Sequence, residues 1–112
     1  MIRPHLNRRL TLEAEARTTD GAGGFVSVWQ ALGTVWASLE VGPVREVAGG
    51  ERVEAVQPVK VTVRAAPEGD PARPDRGKRF REGGRAYRVQ AVQARDPRGL
   101  YLTCQCTEED GA

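Results

Sequence analysis

From Leu10 to Arg17 the sequence alternates without a break. Leu10, Leu12, Ala14 and Ala16 fall on one side, and Thr11, Glu13, Glu15 and Arg17 on the other. A repeat of two is the signature of a strand with one face buried, because successive strand side chains point to opposite faces. The pattern returns at Val59–Arg64, where Val59, Val61 and Val63 share a face. It returns again at Leu100–Thr107, where Leu100, Leu102, Cys104 and Cys106 do. Long stretches of period two, with no sustained period of 3.6, restrict the chain to an all-β fold.

The intervening segments supply the turns. Asp20-Gly21-Ala22-Gly23-Gly24 carries three glycines and an Asp-Gly step, which suits a flexible hairpin turn. Phe25–Gln30 and Thr34–Val41 read as strand on either side of Ala31-Leu32-Gly33, where a bulge or bend is expected. Trp29 and Trp36 are seven residues apart, so a straight strand would send them to opposite faces unless that break intervenes. Arg79-Phe80-Arg81 is a short strand, and Glu82-Gly83-Gly84 turns the chain into a strand over Arg85–Ala94. The apolar phase of that strand slips between Ala91 and Val92, the mark of a second bulge. Asp96-Pro97-Arg98-Gly99 has the residues of a type I turn. Strands joined this way close most economically into a small antiparallel β-barrel of about six strands, which removes exposed edges.

Two segments do not fit a barrel strand. Gly42–Val56 reads as a long excursion with at most a short helix, begun at Val44-Arg45-Glu46-Val47-Ala48 and broken by Gly49-Gly50. Ala65–Lys78 holds Pro67, Pro71 and Pro74 with Gly69 and Gly77, and is expected to be a stiff, basic surface loop. With 112 residues, 39% of them hydrophobic and 5% aromatic, the chain makes one domain with a thin core. The barrel is expected over about residues 8–107, flanked by a mobile N-terminus (1–7) and an acidic tail (108–112).

The residues argue against catalysis. The only histidine, His5, lies near the N-terminus, and Ser27 and Ser38 sit in strands without a glycine elbow. Glu13 and Glu15 read as a solvated strand face. The glycines at 21–24 lack the lysine and the strand-to-helix setting of a phosphate loop. Cys104 and Cys106 lie on one face of a strand and read as core, since a metal site would need further ligands. No cofactor is expected. No apolar run approaches the ~20 residues that span a bilayer, and no secretory signal follows the basic N-terminus. Charge is unevenly placed. Pro71–Arg88 carries seven basic residues against two acidic ones, whereas Glu108-Glu109-Asp110 is acidic. The basic stripe, with Phe80 and Tyr87 among its arginines, leaves open an OB-like barrel that binds single-stranded nucleic acid.

Several pieces together resemble a known family. Leu6-Asn7-Arg8-Arg9-Leu10-Thr11-Leu12, then Asp20-Gly21-Ala22-Gly23-Gly24-Phe25, Trp29 and Thr34-Val35-Trp36-Ala37 are similar to the opening of phage head–tail joining (head-closure, or stopper) proteins. Arg79–Val89 and Asp96–Leu102 are similar to that family's later hairpin and last turn. The composition, rich in alanine, arginine and glycine, resembles versions carried by gene transfer agents and prophages. The resemblance implies a non-enzymatic ring subunit, six- or twelve-fold, that closes the DNA-filled head. An adaptor protein would lie on the head side and a tail terminator protein on the tail side. It implies assembly in the cytoplasm and then a place in the particle neck. It also implies a channel-gating loop, here Val44, Arg45, Glu46, Val47, Ala48, Gly49, Gly50, Glu51, Arg52 and Val53. Arg73, Arg76, Lys78, Arg79 and Arg81 are the expected contacts to a partner or, non-specifically, to packaged double-stranded DNA. No membrane is involved.

Overall fold

The computed structural model describes residues 3–49 and 52–109. Eight strands follow one another: β1 (Arg8–Thr19), β2 (Phe25–Val41), β3 (Arg45–Gly49), β4 (Arg52–Val56), β5 (Pro58–Arg64), β6 (Arg79–Glu82), β7 (Arg85–Ala94) and β8 (Tyr101–Glu108). Six of them form a closed antiparallel barrel in the order β1-β2-β5-β8-β7-β6, the ring being completed where β1 pairs with β6. These six are the strands that alternation predicts.

The interior is built from the expected faces. Leu10, Leu12, Ala37, Val59, Val61, Val63, Phe80, Tyr87, Val89, Leu102, Cys104 and Cys106 form one buried cluster. Both cysteines are free thiols. Burial pushes the Cys104 thiol up to about 12, and Cys106 is raised by the same cause. Neither is a nucleophile at neutral pH.

Both expected bulges are present. Leu12 pairs with Gly33 and Glu13 with Ala31, so Leu32 is the extra residue of β2. Gly33 adopts a φ of 149°, a conformation that other residues rarely take. The extra residue resets the phase of the strand. Trp36 stands opposite Arg9 and Trp29 opposite Glu15, so both indoles occupy the outward face. In β7 the slip lies between Val89 and Ala91, one step before the position the apolar phase indicates.

Among the described residues of Gly42–Val56 there is no helix. The segment is a separate two-stranded ribbon in which β3 pairs only with β4, from Arg45↔Val56 to Gly49↔Arg52. The β-branched Val44, Val47, Val53 and Val56 favour extended backbone, and this preference outweighs the weak helix pattern of Val44–Ala48. Gly50 and Glu51 lie outside the described residues.

The loop at 65–78 has no regular element, as its prolines require. It is nonetheless pinned from within. The N–H of Arg73 donates to Asp70 O at 2.9 Å, that of Ala72 to Asp70 Oδ1 at 2.8 Å, and Lys78 Nζ to Arg73 O at 2.7 Å. Its Pro74 is fully buried.

Three residues differ in burial from what the alternation suggests. Leu100, assigned inward, is half exposed because β8 begins only at Tyr101. Tyr101 and Thr103, assigned outward, are buried. Pro4 and Leu6 flank Tyr101, so the chain before β1 contributes to its cover.

Candidate assembly surfaces

Strand β1 runs 12 residues and β2 17, longer than the barrel needs. Past Glu13, β1 pairs with nothing but β2. The two strands therefore leave the barrel as a ribbon, the arm, ending at Thr19↔Phe25. An isolated two-stranded ribbon is marginal in water, so its base needs an anchor.

That anchor is a charged cluster on the outward face. Glu13 is in register with Arg79, and Arg79 with Arg88. Arg79 Nε donates to Glu13 Oε1 at 2.7 Å, and Arg81 Nε reaches both Glu13 oxygens at 3.3 Å. Arg79 Nη1 contacts Glu109 at 3.5 Å, and Arg88 lies 3.6 Å from both Glu15 and Glu109. The Trp29 ring packs under both cations, 4.0 Å from the Arg79 guanidinium carbon and 5.0 Å from that of Arg88. Arg79 is 7% exposed and Glu13 9%. Charges so far from water persist only when paired. The carboxylates separate the arginines, and the indole offers both its negative π-face. Glu13 is therefore not the solvated residue that alternation suggests. It is the inner half of a buried ion pair across two strands.

Most of the basic stripe is likewise engaged within the chain. Arg73 pairs with Asp75 at 3.4 Å and donates to Ala66 O at 2.8 Å; Lys78 also pairs with Asp75. Arg85 grips Glu108 with two bonds of 2.7 and 2.8 Å, which raises the guanidinium pKa and holds the carboxyl below the usual range. Arg8 and Glu82 make a similar two-bond pair, which lowers the Glu82 pKa. Of the five basic contact candidates, Arg73, Lys78, Arg79 and Arg81 make these internal contacts. Arg76 is exposed, with no ion pair among the described residues. Phe80 and Tyr87 are both within the core, so neither offers a face on which a base can stack.

The β3–β4 hairpin is held differently. Its neck is closed by three contacts: Gly42 N–H to Pro58 O at 2.9 Å, Gln57 Nε2 to Gly42 O at 2.6 Å, and Glu108 N–H to Gln57 O at 3.1 Å. A Cβ on Gly42 would come within 3.1 Å of the Pro58 ring, so the crossing is tight enough to favour glycine. Val41 and Val44 stand exposed beside the neck, at 60% and 58%. Of the candidate gating residues, Val44 to Gly49, Arg52 and Val53 lie on this hairpin and its approach.

Among the described residues no group of three or more histidine, cysteine or acidic side chains is placed to hold a metal, and no helix is long and apolar enough to cross a membrane. The sequence matches the family model of phage head completion proteins over residues 1–109. The fold is similar to a solved chain from the virion of a native gene transfer agent particle. The TM-score is 0.82 and the identity 48%, covering 98% of this chain and 100% of that one. No curated protein matches the sequence.

Proposed function

The chain belongs to the phage head completion protein family, and on that premise we propose that it is a structural subunit of the neck of a phage-like particle, closing the DNA-filled head and receiving the tail. The coarse role, a non-enzymatic virion protein of the head–tail region, follows from the family and from the gene transfer agent likeness. The observation that carries it is that likeness, 48% identity over essentially the whole of both chains. Particles lacking the protein are expected to have filled or leaking heads without tails. Tailed, transfer-competent particles in its absence would refute the role.

The finer reading has three parts. Copies form a ring, six- or twelve-fold, between an adaptor above and a tail terminator below. Assembly takes place in the cytoplasm before the subunit joins the particle. The β3–β4 hairpin projects into the channel and gates DNA. A ribbon joined to the barrel by one hydrogen-bonded neck can swing as a unit while the barrel stays fixed. Arg76, exposed and without an ion pair among the described residues, is the member of the basic stripe we assign to contact with DNA or an acidic partner. Its contribution to DNA contact would be non-specific and would weaken with salt.

A further inference from the structure

The end of the arm is unlike ordinary surface. Phe25 is 65% exposed on one face of the ribbon, and Val26 and Val28 are about half exposed, on the opposite face. An element that is apolar on both sides suits insertion between walls better than docking on a plane. Its turn carries one carboxylate, Asp20. That group accepts the N–H groups of Ala22 and Gly24 at 2.8 and 3.0 Å, and these bonds hold its pKa low. The turn therefore presents a fixed negative charge, and the exposed apolar surface beside it has the Arg17 guanidinium 5.9 Å from the Phe25 ring centre.

A matching surface lies at the other end of the same strands. Arg9 pairs with Trp36, Ala37 with Val63, and Arg64 with Tyr101, so Arg9, Trp36, Arg64 and Tyr101 form one outward row across β1, β2, β5 and β8. Above this row lies a groove of about 550 Å³, lined by Arg3, Pro4, Leu6, Trp36, Arg64 and Tyr101. Its cations are arginines, no carboxylate lines it, and Trp36 is 58% exposed. The tip cannot reach its own groove. Ten residue steps of β1 separate Arg9 from Thr19, about 33 Å at ~3.3 Å per residue.

We propose that the arm tip of one copy, Asp20 to Val28, seats in the Trp36 groove of the next copy. Phe25 packs on the indole and the Asp20 carboxylate meets Arg3 and Arg64. The two patches are different and lie far apart, so the contact is heterologous, and repeating it gives a ring where the rotation between neighbours closes. This rests on the ring reading above and supplies it with an interface. The Trp29 clamp then has a second role, since it fixes the angle at which each arm leaves its barrel.

The test uses cross-linking of the full chain. Cys104 and Cys106 are buried and stay silent. Chains carrying Phe25→Cys and Trp36→Cys are mixed in assembled necks and treated with a short thiol cross-linker. A dimer is expected from the mixture and from neither variant alone. The double variant is expected to give a ladder rising to one closed species. Phe25→Ala and Arg64→Glu, both on exposed side chains, should each raise the concentration for half-assembly at least about tenfold. Dimers from Phe25→Cys alone, or a ladder that stops at two, would overturn the interface. A photo-cross-linker at position 36 that captures DNA or another virion protein would overturn it as well, with the ring reading intact. Absence of a fixed multiple of this chain in the neck would instead refute the ring itself.

Discussion

The two hairpins that leave the barrel are anchored in opposite ways. The β1–β2 arm continues two barrel strands and is braced at its base by Trp29, Arg79, Arg88 and three carboxylates. The β3–β4 ribbon shares no strand with the barrel and is tied to it by the contacts of Gly42, Gln57 and Pro58. A braced element keeps one direction, as lasting subunit contact requires. A tethered element can change direction at small cost to the core, as a gate requires. One base is held by a cluster of charged side chains and an indole, the other mainly by backbone hydrogen bonds.

The comparison breaks most sharply at Arg79. Arg79→Ala leaves the Glu13 carboxylate buried with only the longer Arg81 contact. Denaturant unfolding should show a loss of about 3–5 kcal/mol. Trp29→Ala keeps the ion pairs and removes the aromatic ring that packs under both cations. The expected loss is about 1–2 kcal/mol, with faster amide exchange in the arm beyond Glu13 and none of that change in β5 or β8. Removing residues 44–55 should do far less. β3 and β4 pair with each other and with no barrel strand, so barrel stability should stay within about 1 kcal/mol of the parent. A large loss on that deletion would mean that the ribbon is part of the core after all.

The smallest effect concerns pH, and it separates the barrel's carboxylates by site. Asp96 is buried at the β7–β8 turn. Burial alone would raise its pKa, but the N–H groups of Leu100, Tyr101 and Arg98 outweigh that and hold it low. Glu82 and Glu108 are lowered by Arg8 and Arg85. Groups lowered on folding stabilise the native state above their unfolded pKa values, about 4 for carboxylates. That stabilisation fades as pH falls through the lower folded values. Unfolding midpoints should therefore be level near neutrality and drop below about pH 4. Asp96→Asn should flatten that drop while lowering the midpoint at neutral pH.

How much of this was legible in the sequence differs between core and surface. Alternation marked all six barrel strands, because a buried face leaves a period of two wherever it occurs. Gly33 and the phase slip in β7 marked both bulges. The β3–β4 ribbon was missed because its valines are too few and too interrupted to outweigh a local helix pattern on inspection. Glu13 was misread for a different reason. Its partners Arg79 and Arg81 lie 66 and 68 residues away, and nothing local shows that strand closure will bring them together. The same blindness left the basic stripe readable as a nucleic-acid surface, although most of its charges are answered by remote carboxylates. Pairing across a closed sheet is a property of register, and register appears only in the folded chain.

The gating role of the β3–β4 hairpin is the central claim, and DNA retention tests it most directly. Particles assembled with a chain lacking residues 44–55 should carry tails, since the arm and barrel are untouched, yet lose packaged DNA to added nuclease. Tailed particles that keep their DNA as fully as the parent would contradict the claim.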